Sequence, residues 1–75
     1  MEYLLVNKLK RYKLEFRYTS IYSAKVINEI EVEIATSAQE AVDTVRRDYA
    51  AMQNLCIDHV YIDAGSTWDA VDNWD

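Results

Sequence analysis

KRYKLEFRY, residues 10–18, decides the fold. Tyr12, Leu14, Phe16 and Tyr18 fall on one parity and Arg11, Lys13, Glu15 and Arg17 on the other, so from Arg11 on the segment alternates charged with apolar at every step. A period of two is the signature of a strand with one face on a core and the other in water. Leu4 and Val6 continue the apolar parity backwards, while Lys8 and Lys10 interrupt it, which predicts a bend, a bulge or an exposed extension there.

Residues 24–34 alternate again, with Val26, Ile30, Val32 and Ile34 on one parity and Lys25, Glu29, Glu31 and Glu33 on the other; Ile27 and Asn28 are the exceptions. The expected second strand turns its apolar set toward the same core. Between the two runs, residues 19–23 have the length of a hairpin loop without the Gly or Pro of the tightest turns. On this reading Arg11, Lys13 and Arg17 share the outer face with Glu29, Glu31 and Glu33 and neutralise them in cross-strand ion pairs.

Beyond Thr36 the period changes. Thr36 or Ser37 stands three residues before Gln39 or Glu40, a capping-box spacing, and Ala38, Ala41, Val42, Val45, Tyr49 and Met52 follow the i, i+3, i+4, i+7 rule of a helix. Asn54 is the expected left-handed stop. Residues 55–63 are rich in β-branched and aromatic side chains and read as a central strand with Cys56 buried, ended by Ala64 and Gly65, the single glycine. In residues 66–75 (STWDAVDNWD), Ser66 or Thr67 caps a short helix carrying Trp68, Val71 and Trp74 along one side, or the segment is an irregular acidic tail.

A right-handed crossover through the helix makes the second and third strands parallel, with the first strand between them. The predicted fold is α+β: a ββαβ domain over residues 1–65, three antiparallel strands in the order 2-1-3 with the helix on one face, followed by the acidic segment 66–75.

The whole chain has 75 residues, 51% hydrophobic and 28% charged. A domain of this size buries about 60% of the surface of its unfolded chain, and a core this small rarely supplies more than about 3–5 kcal/mol. Association with a partner or a second copy is therefore expected. One cysteine, Cys56, cannot close an internal disulfide, and one histidine, His59, leaves no ligand set for zinc. No stretch approaches the roughly 20 apolar residues of a membrane helix, and no signal-peptide core is seen, so a cytoplasmic protein without membrane attachment is expected.

Charge is polarised along the chain: residues 1–25 carry a net +4 and residues 26–75 a net -9, within a total of -5. An acidic chain without a basic groove is repelled by phosphate backbones, which argues against direct nucleic-acid binding.

The sharpest enzymatic reading is a thiolate at Cys56 with His59 as base and Asp58 or Asp63 orienting it. Residues i and i+3 of a regular strand point to opposite sides, so the expected state is a buried cysteine and an edge histidine. Glu29, Glu31 and Glu33 share a face but stand beside bases. Asp58, Asp63, Asp69 and Asp72 lack the spacing of a calcium loop, and nothing cradles a phosphate. The expectation is a non-enzyme with no metal and no cofactor.

What remains is a binding surface. Trp68 and Trp74 are interleaved with Asp69, Asp72 and Asp75 in a segment without a base, and tryptophan is the residue type most enriched at interface hot spots. With Asp58 and Asp63 they form the candidate partner site. In its size, acidity, scarcity of Gly and Pro and strand-strand-helix-strand order, the chain resembles small phage-encoded inhibitors of host defence of the anti-CRISPR type. That resemblance implies an inhibitor or adaptor engaging a basic host protein surface, in some members by imitating nucleic-acid charge. The alternative expectation is a homo-oligomer, in its simplest form a homodimer, joined through a strand edge or the Trp-bearing tail.

Overall fold

A computed structural model describes residues 9–74. The readings placed on Leu4, Val6, Lys8 and Asp75 lie outside the described residues. The elements are β1 (Lys10–Thr19), β2 (Val26–Ala35), α1 (Ala38–Asp48), β3 (Gln53–Asp63) and β4 (Trp68–Ala70). They build one antiparallel sheet in the order β2-β1-β3-β4, with α1 across one face. The expected α+β architecture and the central place of β1 are therefore found, and the sheet has a fourth strand. Part of the segment expected to be helical or irregular is β4, in which Asp63 pairs with Trp68 and Tyr61 with Ala70.

The core follows β1 closely. Tyr12, Leu14, Phe16 and Tyr18 are buried against Ala38, Ala41, Val42 and Val45 of α1 and Val60 of β3. The small side chains of the helix let it sit close to the sheet. Phe16, Tyr18 and Tyr49 fill its flank, with Phe16 and Tyr49 edge to face at 5.0 Å between centroids and Tyr18 and Tyr49 tilted at 4.9 Å. Ser37 is the N-cap, accepting from the Glu40 backbone N–H at 3.1 Å. The Glu40 carboxylate reaches back to accept from both the N–H and the hydroxyl of Thr36, which holds its pKa below the ordinary glutamate value.

β2 overturns an expectation. In the β1–β2 register Tyr12 stands opposite Glu33, Leu14 opposite Glu31, Phe16 opposite Glu29 and Tyr18 opposite Ile27. Directly opposed residues share a face. The glutamates therefore lie on the helix side of the sheet, and Val26, Ile30, Val32 and Ile34 lie on the outer side, 47–68% exposed. A single helix about 10 Å across covers about two strands spaced about 4.8 Å apart. It leaves β2 at the margin, where carboxylates stay wet and only Ala35, at the end of the strand, is buried.

β3 overturns a second one. Its pairing with β1 slips between Glu15 and Phe16, where Asp58 is extra, and again between Arg17 and Thr19. Asn54 has the positive φ expected of it (57°), but α1 has already ended and Asn54 lies in β3 at this second irregularity. The bulge at Asp58 shifts parity, so Cys56 opposite Arg17 and His59 opposite Glu15 both come to the outer face. Cys56 is half-buried on that face, outside the core.

Candidate protein-interaction surface

The outer face of the sheet is a mosaic. β1 contributes a central row of Arg11, Lys13, Glu15 and Arg17, and β3 and β4 supply the acids and aromatic rings that answer it. Arg11 pairs with Asp63 at 3.2 Å and Arg17 Nε with Asp58 at 3.3 Å. Lys13 Nζ lies 4.8 Å from the Tyr61 ring centroid and 5.2 Å from that of Trp68, with the Arg11 guanidinium 5.8 Å from the same indole. Three residues of the candidate partner site, Asp58, Asp63 and Trp68, thus touch the chain's own bases, as does Tyr61.

The other candidate residues are not gathered at that spot. Trp74 packs with Val71 against the core cluster, and Val71 N–H donates to the Val60 carbonyl at 2.9 Å. Asp69 and Asp72 are exposed and make no ion pair among the described residues. Residues 66–74 therefore divide between the outer face, the core margin and solvent.

The Cys56 cluster is brought together by the bulge but is not arranged as a nucleophile with its base. Cys56 Sγ lies 3.5 Å from Arg17 Nη2 and from Asp58 Oδ1. The contact with Cys56, and then the charge of Asp58, hold the Arg17 guanidinium protonated above its ordinary value. His59 stands two β1 positions away, about 7 Å at strand rise. Among the described residues no group of three or more His, Cys, Asp or Glu side chains is placed to hold a metal ion, and no helix is long and apolar enough to cross a membrane.

The feature that sequence reasoning missed is the edge of β2. Glu29, Glu31 and Glu33 form a row at period two, and tyrosines reach it: Tyr18 OH donates to Glu29 Oε2 at 3.2 Å and Tyr49 OH to Glu31 Oε2. These bonds, with burial, push both phenols upward in pKa; burial is the larger cause for Tyr18 and the bond to Glu31 for Tyr49. Glu33 is also raised, first by desolvation and then by its hydrogen bond with Glu31, and Arg47 offsets this only in part. Ion pairs between these glutamates and β1 were expected and are not formed, because the partners lie on opposite faces. Asp63 and Asp58, assigned by the sequence to the partner site, are paired with Arg11 and Arg17.

On the outer side of the same strand, Val26, Ile30, Val32 and Ile34 form an exposed apolar stripe. An open depression over Glu15 runs from Asn28 and Ile30 across to Asp58 and His59. A signal for this arrangement was present in the sequence: Ile27 on the glutamate parity and Ala35 at its end are the apolar residues that face the helix. Comparisons with protein families, with curated proteins and with solved structures found no match for this chain.

Proposed function

We propose that the chain is a non-catalytic protein-binding module whose partner presents a basic surface, and that the partner is met at the β2 edge. The observation that carries this reading is the row Glu29, Glu31 and Glu33, which has no salt bridge to a base among the described residues. Three carboxylates held in register on a strand attract cations over a distance and align them at contact. Asp69 and Asp72 add to the long-range field from the far edge. The resemblance to phage-encoded inhibitors supports a finer version, in which the partner is a cytoplasmic host protein whose basic surface serves nucleic acid and the glutamate row occupies it.

The test is capture from cell lysate by the whole protein and by a Glu29→Lys, Glu33→Lys variant, each at low and high salt. The expected result is a basic protein retained by the parent at low salt, released at high salt and not retained by the variant. Equal retention by the folded variant would remove the glutamate row from the site.

A second reading, self-association, is favoured by the exposed stripe of Val26, Ile30, Val32 and Ile34. Packed face to face against a second copy, it would give an association that strengthens with salt. Sedimentation of the pure protein over a concentration series tests this second reading, which requires a mass that rises with concentration.

A further inference from the structure

Resting on that reading, we infer that the partner binds by strand addition. An extended segment in which Lys or Arg alternates with β-branched residues pairs with the free edge of β2, its bases over Glu29, Glu31 and Glu33 and its apolar residues beside Ile30, Val32 and Ile34.

Three features of β2 lead to this ligand. The strand is ten residues long, pairs with β1 in an unbroken register and has no second neighbour among the described residues. Its outward backbone N–H and C=O groups are therefore a template for another strand. On the opposite side β4 is three residues long and covers only Tyr61–Asp63. The stretch of β3 that it leaves uncovered, 53–59, is broken by the bulge at Asp58 and the positive φ of Asn54, so it offers little of this. Natural sheets defend such an edge with proline, a bulge or inward charges; β2 has neither proline nor bulge, and its inward charges, Glu29, Glu31 and Glu33, are a selective defence that repels an acidic strand and admits a basic one.

The two sides of the edge demand different side chains. Residues directly opposite in an added strand lie on the same face as their partners. Every second residue of the ligand thus meets a carboxylate on the helix side, and the intervening ones meet valine or isoleucine on the outer side. The code has period two, basic then apolar.

A second copy of β2 fails this code. Antiparallel pairing about a two-fold axis keeps helix-side residues opposite helix-side residues. Any register that aligns most of the two strands then sets a glutamate of one copy against a glutamate of the other. Like charges directly opposed are destabilising, so the row that attracts a basic strand also keeps the edge from closing on itself. That argument leaves the outer-face association of the second reading untouched.

The test uses the full chain and short synthetic peptides, one alternating lysine with valine and one alternating glutamate with valine, followed by fluorescence anisotropy and by amide exchange of residues 26–35. The lysine peptide is expected to bind at least about tenfold more tightly at low salt and to slow exchange along β2. Two further lysine peptides carry N-methyl groups on alternate backbone nitrogens, one on each parity. Only one parity donates to β2, so one methylated peptide should lose binding and the other keep it. Equal binding by both overturns strand addition. A lysine peptide that does not bind, while the parent still retains its basic partner through the glutamates, also overturns strand addition and leaves the proposed function standing. Loss of both results overturns both. A Glu29→Lys, Glu33→Lys chain that remains folded by circular dichroism should exchange its preference to the glutamate peptide. If that variant does not fold, the methylated pair decides with the parent chain alone.

Discussion

β1 and β2 are neighbours with nearly the same alternation, and they use it in opposite ways. β1 turns its apolar parity to the helix and its bases to water, whereas β2 turns its glutamates to the helix side and its valines and isoleucines outward. The difference teaches that alternation identifies a strand and divides its residues into two sets without saying which set is inside. At the centre of the sheet, burial makes the choice unambiguous, because a charged side chain under the helix would lose its water. At the margin the cost is small: Glu29 and Glu31 keep partial hydration and gain tyrosine hydroxyl donors.

The largest expected effect breaks the comparison directly. Phe16→Asp should abolish cooperative unfolding, since even Phe→Ala at a buried site costs about 3–5 kcal/mol and this side chain is 1% exposed. Ile30→Asp, of the same apolar-to-acid type on the neighbouring strand, should change stability by about 0.5 kcal/mol or less. Denaturant titrations of the two variants check this, and equal losses would show that β2 also turns its apolar set inward.

Next in size is Tyr49→Phe, which removes the hydroxyl that ties Glu31 to the helix side. A loss of about 1–2 kcal/mol is expected, and a Glu31→Gln background should shrink it. If the two changes are additive, Glu31 and Tyr49 are not coupled and the glutamate row is not held where the structure has it.

Smaller again is Arg11→Met, on the outer face of β1. It removes the pair with Asp63 and the stacking on Trp68, and because the Arg11 side chain is exposed the loss is about 1 kcal/mol or less. Chemical denaturation in low and high salt should show the difference from the parent narrowing as salt rises.

The smallest effect is on pH dependence. Glu33 has a pKa raised above the ordinary 4.5 in the folded chain, so its charged form is disfavoured there. Its contribution is a penalty at neutral pH that is relieved as pH falls through the raised value toward 4.5. Glu40 works the other way: its pKa is lowered by Thr36, so its stabilisation is present above 4.5 and is lost as pH falls through the depressed value. Glu33→Gln should therefore be slightly more stable than the parent at neutral pH and should lack the gain on mild acidification. Melting curves from neutral pH down to about 4 read the sign for Glu33, and an unchanged parent–variant difference across that range would contradict the placement of Glu33 beside Glu31.

Several elements were legible because their signals are local. The period-two run of 10–18, the capping spacing of Ser37 and Glu40 and the helical stripe from Ala38 to Val45 each depend on residues a few positions apart, and each is found where the pattern put it. The candidate site was less legible. Trp68 and Asp63 were singled out by residue type, and the structure shows them occupied by Arg11 and Lys13, bases more than 50 positions away. No local pattern carries a contact of that range.

The sequence by itself determined the order of the first four elements, the inner face of β1 and the face that α1 buries, because each follows from periodicity and from the cost of burying charge. Only the tertiary structure decided the face of β2, the parity of β3 and the strand at Trp68–Ala70. A hairpin register fixes which residues of β2 oppose Tyr12, Leu14 and Phe16. One extra residue at Asp58 carries every later side chain of β3 to the other face. A three-residue strand is stabilised mainly by the edge it joins. These are properties of pairing between strands, and they have no counterpart in the pattern of either strand alone.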